Sequence, residues 1–286
     1  MSSLSRRAFL ERSAAGAAAA GILSAARGLR ANPLGLPIGS QTWPHRQRVR
    51  AGDLGGLCQD LAALGVGTVE LCSPGYPEFT GLTDGKKTRK IIEDHGLKCP
   101  SAHFTMEEMR TRQQQMIDWA KDVGMTQMGV ATLAEGPQGG KTTMDVVKRA
   151  ADEYNRIGET AHKAGMQQFL HDEEFEAAHV DGRLVYEVLI EVLDPRYVKF
   201  QYQMSAMPQV GDAAGYFTKF PGRFLSMHLQ GVDLKATQRQ VAVGKDSVDW
   251  TKVFTAAKTG GVQNYFVEQE WKATVESVAF LKTLTV

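Results

Sequence analysis

Four residues, His171, Gln203, His228 and Glu268, each close a short apolar or aromatic run. Gln168-Phe169-Leu170 leads into His171-Asp172-Glu173-Glu174, and Lys199-Phe200-Gln201-Tyr202 leads into Gln203. Phe224-Leu225-Ser226-Met227 leads into His228, and Tyr265-Phe266-Val267 into Glu268-Gln269-Glu270. Two imidazoles and a carboxylate are good ligands for a first-row divalent ion and leave positions open for a substrate. Gln203 would add a fourth, weaker oxygen. An ion held there would polarise a sugar carbonyl or hydroxyl and make removal of a proton from the adjacent carbon feasible. Glu268, or Glu173 beside the first tip, is the natural base. The expected metal ligands are therefore His171, Gln203, His228 and Glu268, and the expected catalytic residues are Glu268, His171 and Glu173.

These tips need a scaffold that brings distant positions together. The runs before His171, His228 and Glu268 each follow a helical stretch with a glycine near its end, so each reads as a buried parallel strand. The whole chain repeats this pattern. Strands are expected at 35–42, 68–71, 97–102, 127–132, 167–170, 198–203, 224–229 and 264–267, with helices between them, one of them continuous over 107–123. Eight β-then-α units with short connections argue for a single parallel (β/α)8 barrel, whose chemistry sits at the C-terminal ends of the strands. Further strand-end candidates for substrate contact are Trp43, His45, Glu70, His103 with Phe104, and Glu270. The rings of Trp43, Phe104 and Trp271 could stack on the apolar face of a sugar. Asp172, Glu174 and Glu176 read as solvated or supporting residues. No Gly-x-Gly-x-x-Gly follows the first strand and no Walker loop occurs, which argues against an open nucleotide-binding sheet.

The N-terminus reads as an address rather than as fold. Ser5-Arg6-Arg7-Ala8-Phe9-Leu10 is a twin-arginine pattern, and the Ala-rich stretch from Ala14 to Ala26 follows it. That stretch is too short and too rich in small residues to be a good membrane span. Residues 1–31 are thus expected to be a cleaved export signal and 32–286 the barrel, with a periplasmic or extracellular destination. Removing the signal leaves about 255 of the 286 residues, close to the ~250 typical of one such barrel. Lys+Arg 33 against Asp+Glu 32 gives a net charge of +1, which offers no electrostatic case for nucleic acid or anionic lipid. Cys58, Cys72 and Cys99 are far apart, fit no zinc spacing and read as buried free thiols. The sequence leaves the oligomeric state open.

The residues also resemble a family, the xylose isomerase-like TIM barrels of the sugar phosphate isomerase/epimerase group. Gly165-Met166-Gln167-Gln168-Phe169-Leu170-His171-Asp172-Glu173-Glu174-Phe175-Glu176 is similar to the group's G-L-x-x-x-Y-H-N-H-D-F-E. Pro221-Gly222-Arg223 before Met227-His228-Leu229 resembles P-G-R…H-x-K-D, and it adds Arg223 to the substrate-binding candidates. Gly244, Asp249-Trp250 and Val267-Glu268-Gln269 resemble G-x-G-x-x-D-W and V-E-Q-D. In metal-dependent members the ligands are Glu, Asp, His and Glu. By position these fall on His171, Gln203, His228 and Glu268, so two of the four match. The Lys-Asp after the seventh-strand His is here Gln230-Gly231. One formal negative charge replaces three, which disfavours Mg²⁺ and favours Mn²⁺, Zn²⁺ or Fe²⁺. One of the two carboxylates that epimerases of the group use on opposite faces of the substrate is also gone.

Three functions follow, in order of preference. The first is an exported carbohydrate isomerase or epimerase that abstracts a proton next to a sugar carbonyl with the help of a divalent metal. The second is a lyase or hydrolase that acts on 3-keto-glycosides by elimination, since glycosides are met outside the cytoplasm. The third is a non-catalytic sugar-binding barrel. A small carbohydrate or glycoside is the expected partner in all three.

Overall fold

The computed structural model describes residues 32–133, 142–173, 175–233 and 239–286. The expected signal, residues 1–31, lies outside them, as does Glu174. Eight parallel strands close into one barrel in sequence order. They are β1 Gly39–Gln41, β2 Thr68–Cys72, β3 Lys98–Phe104, β4 Gln127–Val130, β5 Gln167–Leu170, β6 Val198–Gln203, β7 Phe224–Leu229 and β8 Asn264–Val267. The first pairs with the last, Gly39 opposite Phe266 and Ser40 opposite Val267, so no sheet edge remains. Helices between the strands form the outer layer, and none among the described residues is long and apolar enough to cross a membrane.

Alternation along each strand sorts side chains into two cores. Val69 and Leu71 on β2, and Ala102 and Phe104 on β3, join the hydrophobic layer beneath the helices. Glu70, Ser101, His103, Gln201 and His228 face the lumen. The sign of this is that Glu70 on β2 bonds residues on β6 and β7, which are not its neighbours in the barrel. Phe169 fills the lumen beside Gly129: a Cβ on Gly129 would fall within the Phe169 ring and against its carbonyl. A methyl there would cost about 1–3 kcal/mol by overpacking. Three helices stop at a glycine in the left-handed region, Gly65, Gly124 and Gly261. Gly65 closes the helix Leu54–Leu64 at φ 86° and its N–H bonds the Ala62 carbonyl.

The boundaries differ from expectation: the first and fourth strands, expected at 35–42 and 127–132, are shorter, at Gly39–Gln41 and Gln127–Val130. The helix expected over 107–123 is two, Met106–Thr111 and Gln113–Val123. Arg112 leaves the helical region between them, and its guanidinium reaches back 3.3 Å to Glu108. Glu108 is itself held in a capping box with Thr105, which fixes the first of the two helices. β3 runs on through His103 and Phe104, so His103 is a residue of the wall rather than of the loop beyond it. Two short hairpins also decorate the loops: His179–Val180 with Arg183–Leu184, and Gly231–Asp233 with Arg239–Val241.

Candidate functional site

The site begins with Glu70, which is fully buried in the lumen. Its Oε1 accepts from the Ser101 hydroxyl at 2.6 Å and from the Gln201 amide at 2.9 Å. Its Oε2 lies 2.5 Å from His228 Nε2 and 3.4 Å from His103 Nε2. The Gln201 amide also donates to Ser226 Oγ at 2.9 Å, while its Oε1 faces His103 Nε2 at 2.6 Å. A buried polar network of this kind is stable only when each member finds a partner, and here four strands supply them.

Above this layer stand three imidazoles and one carboxylate. His103, His171 and His228 are buried, with ring centroids 4.6–5.3 Å apart. Glu268, the residue after β8, is 12% exposed at the mouth. Its Oε2 accepts from the Gln203 and Gln230 amides, each at 2.9 Å. His228 Nδ1 is 3.2 Å from the same oxygen but off the hydrogen-bond axis, so it contributes charge without a directed bond. The structure thus brings together His171, Gln203, His228 and Glu268, the four positions singled out by the strand tips, and adds His103 to them.

Electrostatics divide the imidazoles. Burial alone would lower His228, but Glu268 and Glu70 on either side raise it to about 10. Burial pushes His103 below the ordinary imidazole value, and burial together with His228 and His103 pushes His171 far below it. Both are therefore neutral, with lone pairs free. Burial works against the charge of Glu70, yet His228 and His103 hold that carboxyl down to about 2. Glu268 is likewise kept below the usual carboxylate range, because His228 outweighs its burial. At neutral pH it is an ionised base.

The group could hold a metal ion. One ligand atom from each of His103, His171 and His228 lies within 4.8 Å of the others, the one such cluster among the described residues. Tetrahedral bonds of ~2.1 Å set ligand atoms ~3.4 Å apart, so closing on an ion takes side-chain shifts of about 1 Å. The surroundings point the same way. His171 Nδ1, His228 Nδ1, Gln203 Oε1 and Gln230 Oε1 are buried without a hydrogen-bond partner. His171 Nδ1 can accept as it stands, and His228 Nδ1 can once its proton is displaced, so a cation on the histidines would satisfy atoms that are costly to bury alone.

Several expected substrate contacts lie elsewhere. Arg223 precedes β7 at the N-terminal end of the barrel, where it donates to the carbonyls of Ile190 and Leu193 at 2.7 and 3.1 Å. It anchors the end of the helix Val185–Val192, at the end of the barrel opposite the C-termini of the strands. Arg223→Ala should lower stability by about 1–3 kcal/mol and leave ligand binding at the mouth unchanged. A tenfold loss of affinity in that variant, measured by calorimetry, would put Arg223 back in the site. Phe104 is fully buried under the helices, edge-to-face with Trp119 at 5.8 Å, since it alternates outward from His103. Glu70 lies beneath the imidazoles with both oxygens engaged, so it supports the site rather than touching a substrate. Trp43 is half-buried and stacks parallel to Phe79, and the guanidinium of Arg46 sits over its ring. His45 is buried beside the half-exposed Trp271, their rings 5.8 Å apart. Glu173 and Glu270 are exposed on the loops after β5 and β8. Cys58, Cys72 and Cys99 are free, buried thiols.

The supporting residues were the harder ones to read. Ser101, Gln201 and Ser226 carry no signal in the sequence beyond sitting two residues from a candidate, and Gln230 stands out only as the replacement of a motif lysine. Asp172 and Glu176, read as solvated or supporting, are both fully buried. Asp172 Oδ1 accepts from the Gln203 backbone at 2.8 Å, tying the loop after β5 to the end of β6. Glu176 accepts from the Leu133 and Glu173 N–H groups and from the Thr132 hydroxyl. Burial raises Glu176 to about 7. A carboxyl whose folded pKa lies above its unfolded value stabilises the fold while protonated and loses that contribution as pH rises through 7. Against Glu176→Gln, the wild type should therefore lose up to about 3 kcal/mol between pH 4.5 and pH 8. Urea unfolding at the two pH values checks this, and a difference that does not change with pH would contradict it.

No family model matches the sequence, and no curated protein matches it. Solved structures do share its fold. A sugar phosphate isomerase/epimerase from Parabacteroides distasonis is 20% identical, with a TM-score of 0.72 over 87% of this chain and 96% of that one. A xylose isomerase-like TIM barrel protein from Mycobacterium smegmatis, solved in complex with magnesium, is 14% identical, with a TM-score of 0.65 over 86% and 95% of the two chains. An L-ribulose 3-epimerase is 16% identical, with a TM-score of 0.63 over 87% and 91%. At these identities the likeness is one of fold: the chain is built as the xylose isomerase-like (β/α)8 barrels are built.

Proposed function

We propose that this protein is a carbohydrate-modifying enzyme that removes a proton from a carbon next to a sugar carbonyl, assisted by a divalent metal. The observation that carries this is Glu268: an ionised carboxylate at the barrel mouth, held by two amides beside a cluster of imidazoles. Gln203, Gln230 and His228 all approach Oε2, so Oε1 is the atom left to take a proton. A metal on the histidines would supply polarisation of the carbonyl oxygen. The isomerases and epimerases among the structural neighbours support the same substrate class.

The position at which related epimerases carry a second carboxylate holds His171. Delivery of the proton by Glu268 to the former carbonyl carbon on the same face of an enediol, with the hydroxyl proton passing from one oxygen to the other, or departure of a leaving group after abstraction, therefore fits better than inversion by two opposed bases. The first outcome is an isomerisation and the second an elimination, as on a 3-keto-glycoside. Assays of purified protein against free aldoses, ketoses and 3-keto-glycosides separate them: sugar interconversion selects isomerisation and aglycone release selects elimination. Binding of sugars with no turnover of any of them would overturn the proposal in favour of a binding protein.

We also propose export through the twin-arginine segment. Arg6→Lys with Arg7→Lys should leave the precursor in the cytoplasm, because the receptor reads the arginine pair itself. Cell fractionation checks this, and normal export of the double variant would contradict it.

A further inference from the structure

We propose that the metal centre is an all-imidazole one, completed by His103 together with His171 and His228, with Glu268 left outside it as the free base. This rests on the metal-assisted reading above and settles which side chains do which work. The ligand set taken over by position from related barrels would instead use Gln203 and Glu268 with His171 and His228.

The hydrogen bonds argue for His103. The Gln201 amide nitrogen faces Glu70 Oε1 and Ser226 Oγ, and Glu70 takes donors on both its oxygens. The orientation of Gln201 is therefore fixed, and its Oε1 is what meets His103 Nε2 at 2.6 Å. His103 must then carry its hydrogen on Nε2, which leaves the Nδ1 lone pair available. His228 is set the same way, since its Nε2 lies on Glu70 at 2.5 Å and its Nδ1 is unpartnered. An outer carboxylate or carbonyl that fixes the tautomer of an imidazole is the usual support of a metal-binding histidine. Two of the three histidines have one, and the third, His171, presents an unpartnered Nδ1.

The hydrogen bonds also commit Gln203 and Glu268 to each other through the Gln203 amide, although Gln203 Oε1 stays unpartnered. Gln203 and Gln230 turn their amide nitrogens to Glu268 Oε2. The reverse orientation would set carbonyl oxygens against a carboxylate, so the network itself decides the assignment. Glu268 Oε2 is thereby occupied, and Gln203 offers its amide to Glu268. Three imidazole nitrogens with an open position suit Zn²⁺ or Co²⁺, His228 giving up its second proton as the ion binds, whereas Mg²⁺ prefers oxygen. Glu268 keeps its charge for the proton.

The test is titration of metal-free protein with Co²⁺ and Zn²⁺, read by visible absorption of Co²⁺ and by competition with a chromophoric chelator, with no sugar present. Wild type should bind both, and Mg²⁺ should not compete. His103→Ala should weaken binding by at least ~100-fold, while Gln203→Ala and Glu268→Gln stay within a few-fold of wild type. Zinc-edge X-ray absorption on the wild type should count three imidazoles, which keeps the test independent of how His103→Ala folds. Two imidazoles with oxygen ligands, or full affinity in His103→Ala alongside loss in Glu268→Gln, would overturn the assignment. So would the absence of binding by the wild type. Failure of the carbohydrate reading alone would leave the metal titration intact and would appear only in the turnover assays.

Discussion

Glu268→Gln is expected to lower turnover by about 10²–10⁴-fold, the range that a positioned general base supplies. The substitution keeps the shape of the side chain and its contacts with Gln203 and Gln230, so affinity for a sugar should change little. The loss belongs in kcat rather than in KM, because the base acts on the proton only as it leaves carbon. Thermal unfolding of the variant should stay close to wild type, since Glu268 is at the mouth and not in the core. A variant with wild-type kcat would remove Glu268 from the chemistry, and the best-placed base at the mouth would then be lost.

The second large effect is on stability. Glu70 is buried among the Ser101 hydroxyl, the Gln201 amide and His228. Glu70→Ala strands those donors and leaves the charge on His228 facing a cavity. Breaking a buried pair from one side costs about 3–5 kcal/mol, which for a chain of this size lowers the melting temperature by roughly 10 °C. Glu70→Gln, which keeps the volume and one acceptor oxygen, should cost clearly less. Equal losses for the two variants would mean that packing, rather than the charge, holds the network. An unchanged melting temperature in Glu70→Ala would contradict the network altogether.

The fold was legible because its signals are local and repeated. Eight short runs, most of them after a helix with a glycine near its end, leave few arrangements other than a closed parallel barrel, and the observed strand order is the simple one. The tips were legible for the same reason: a polar residue that ends an apolar strand falls at the C-terminal mouth. What the alternation hides is the lumen. Glu70 lies in the middle of Thr68–Cys72, two residues short of the strand end, and that offset turns an expected substrate contact into a buried partner of His228. Gln201 and Ser226 are equally plain in sequence, and their importance comes from strands brought together only by closure of the barrel. Arg223 was misplaced for the opposite reason. It belongs to a motif that contains His228, yet it precedes the strand and so sits at the other end of it. The hairpin at 179–184 had a signal, Asp181-Gly182, whose positive φ values of 51° and 77° suit a two-residue turn. The flanking strands of two residues each are too short to show an alternation.

The central claim is that the barrel mouth removes a proton from the carbon beside a sugar carbonyl and that Glu268 takes it. Incubation of metal-loaded protein with a turned-over sugar in D₂O, followed by NMR, tests this directly. Deuterium should enter at the carbon next to the carbonyl with the wild type and should not with Glu268→Gln. Sugar bound at the mouth without any exchange, or exchange that persists undiminished in Glu268→Gln, would contradict it.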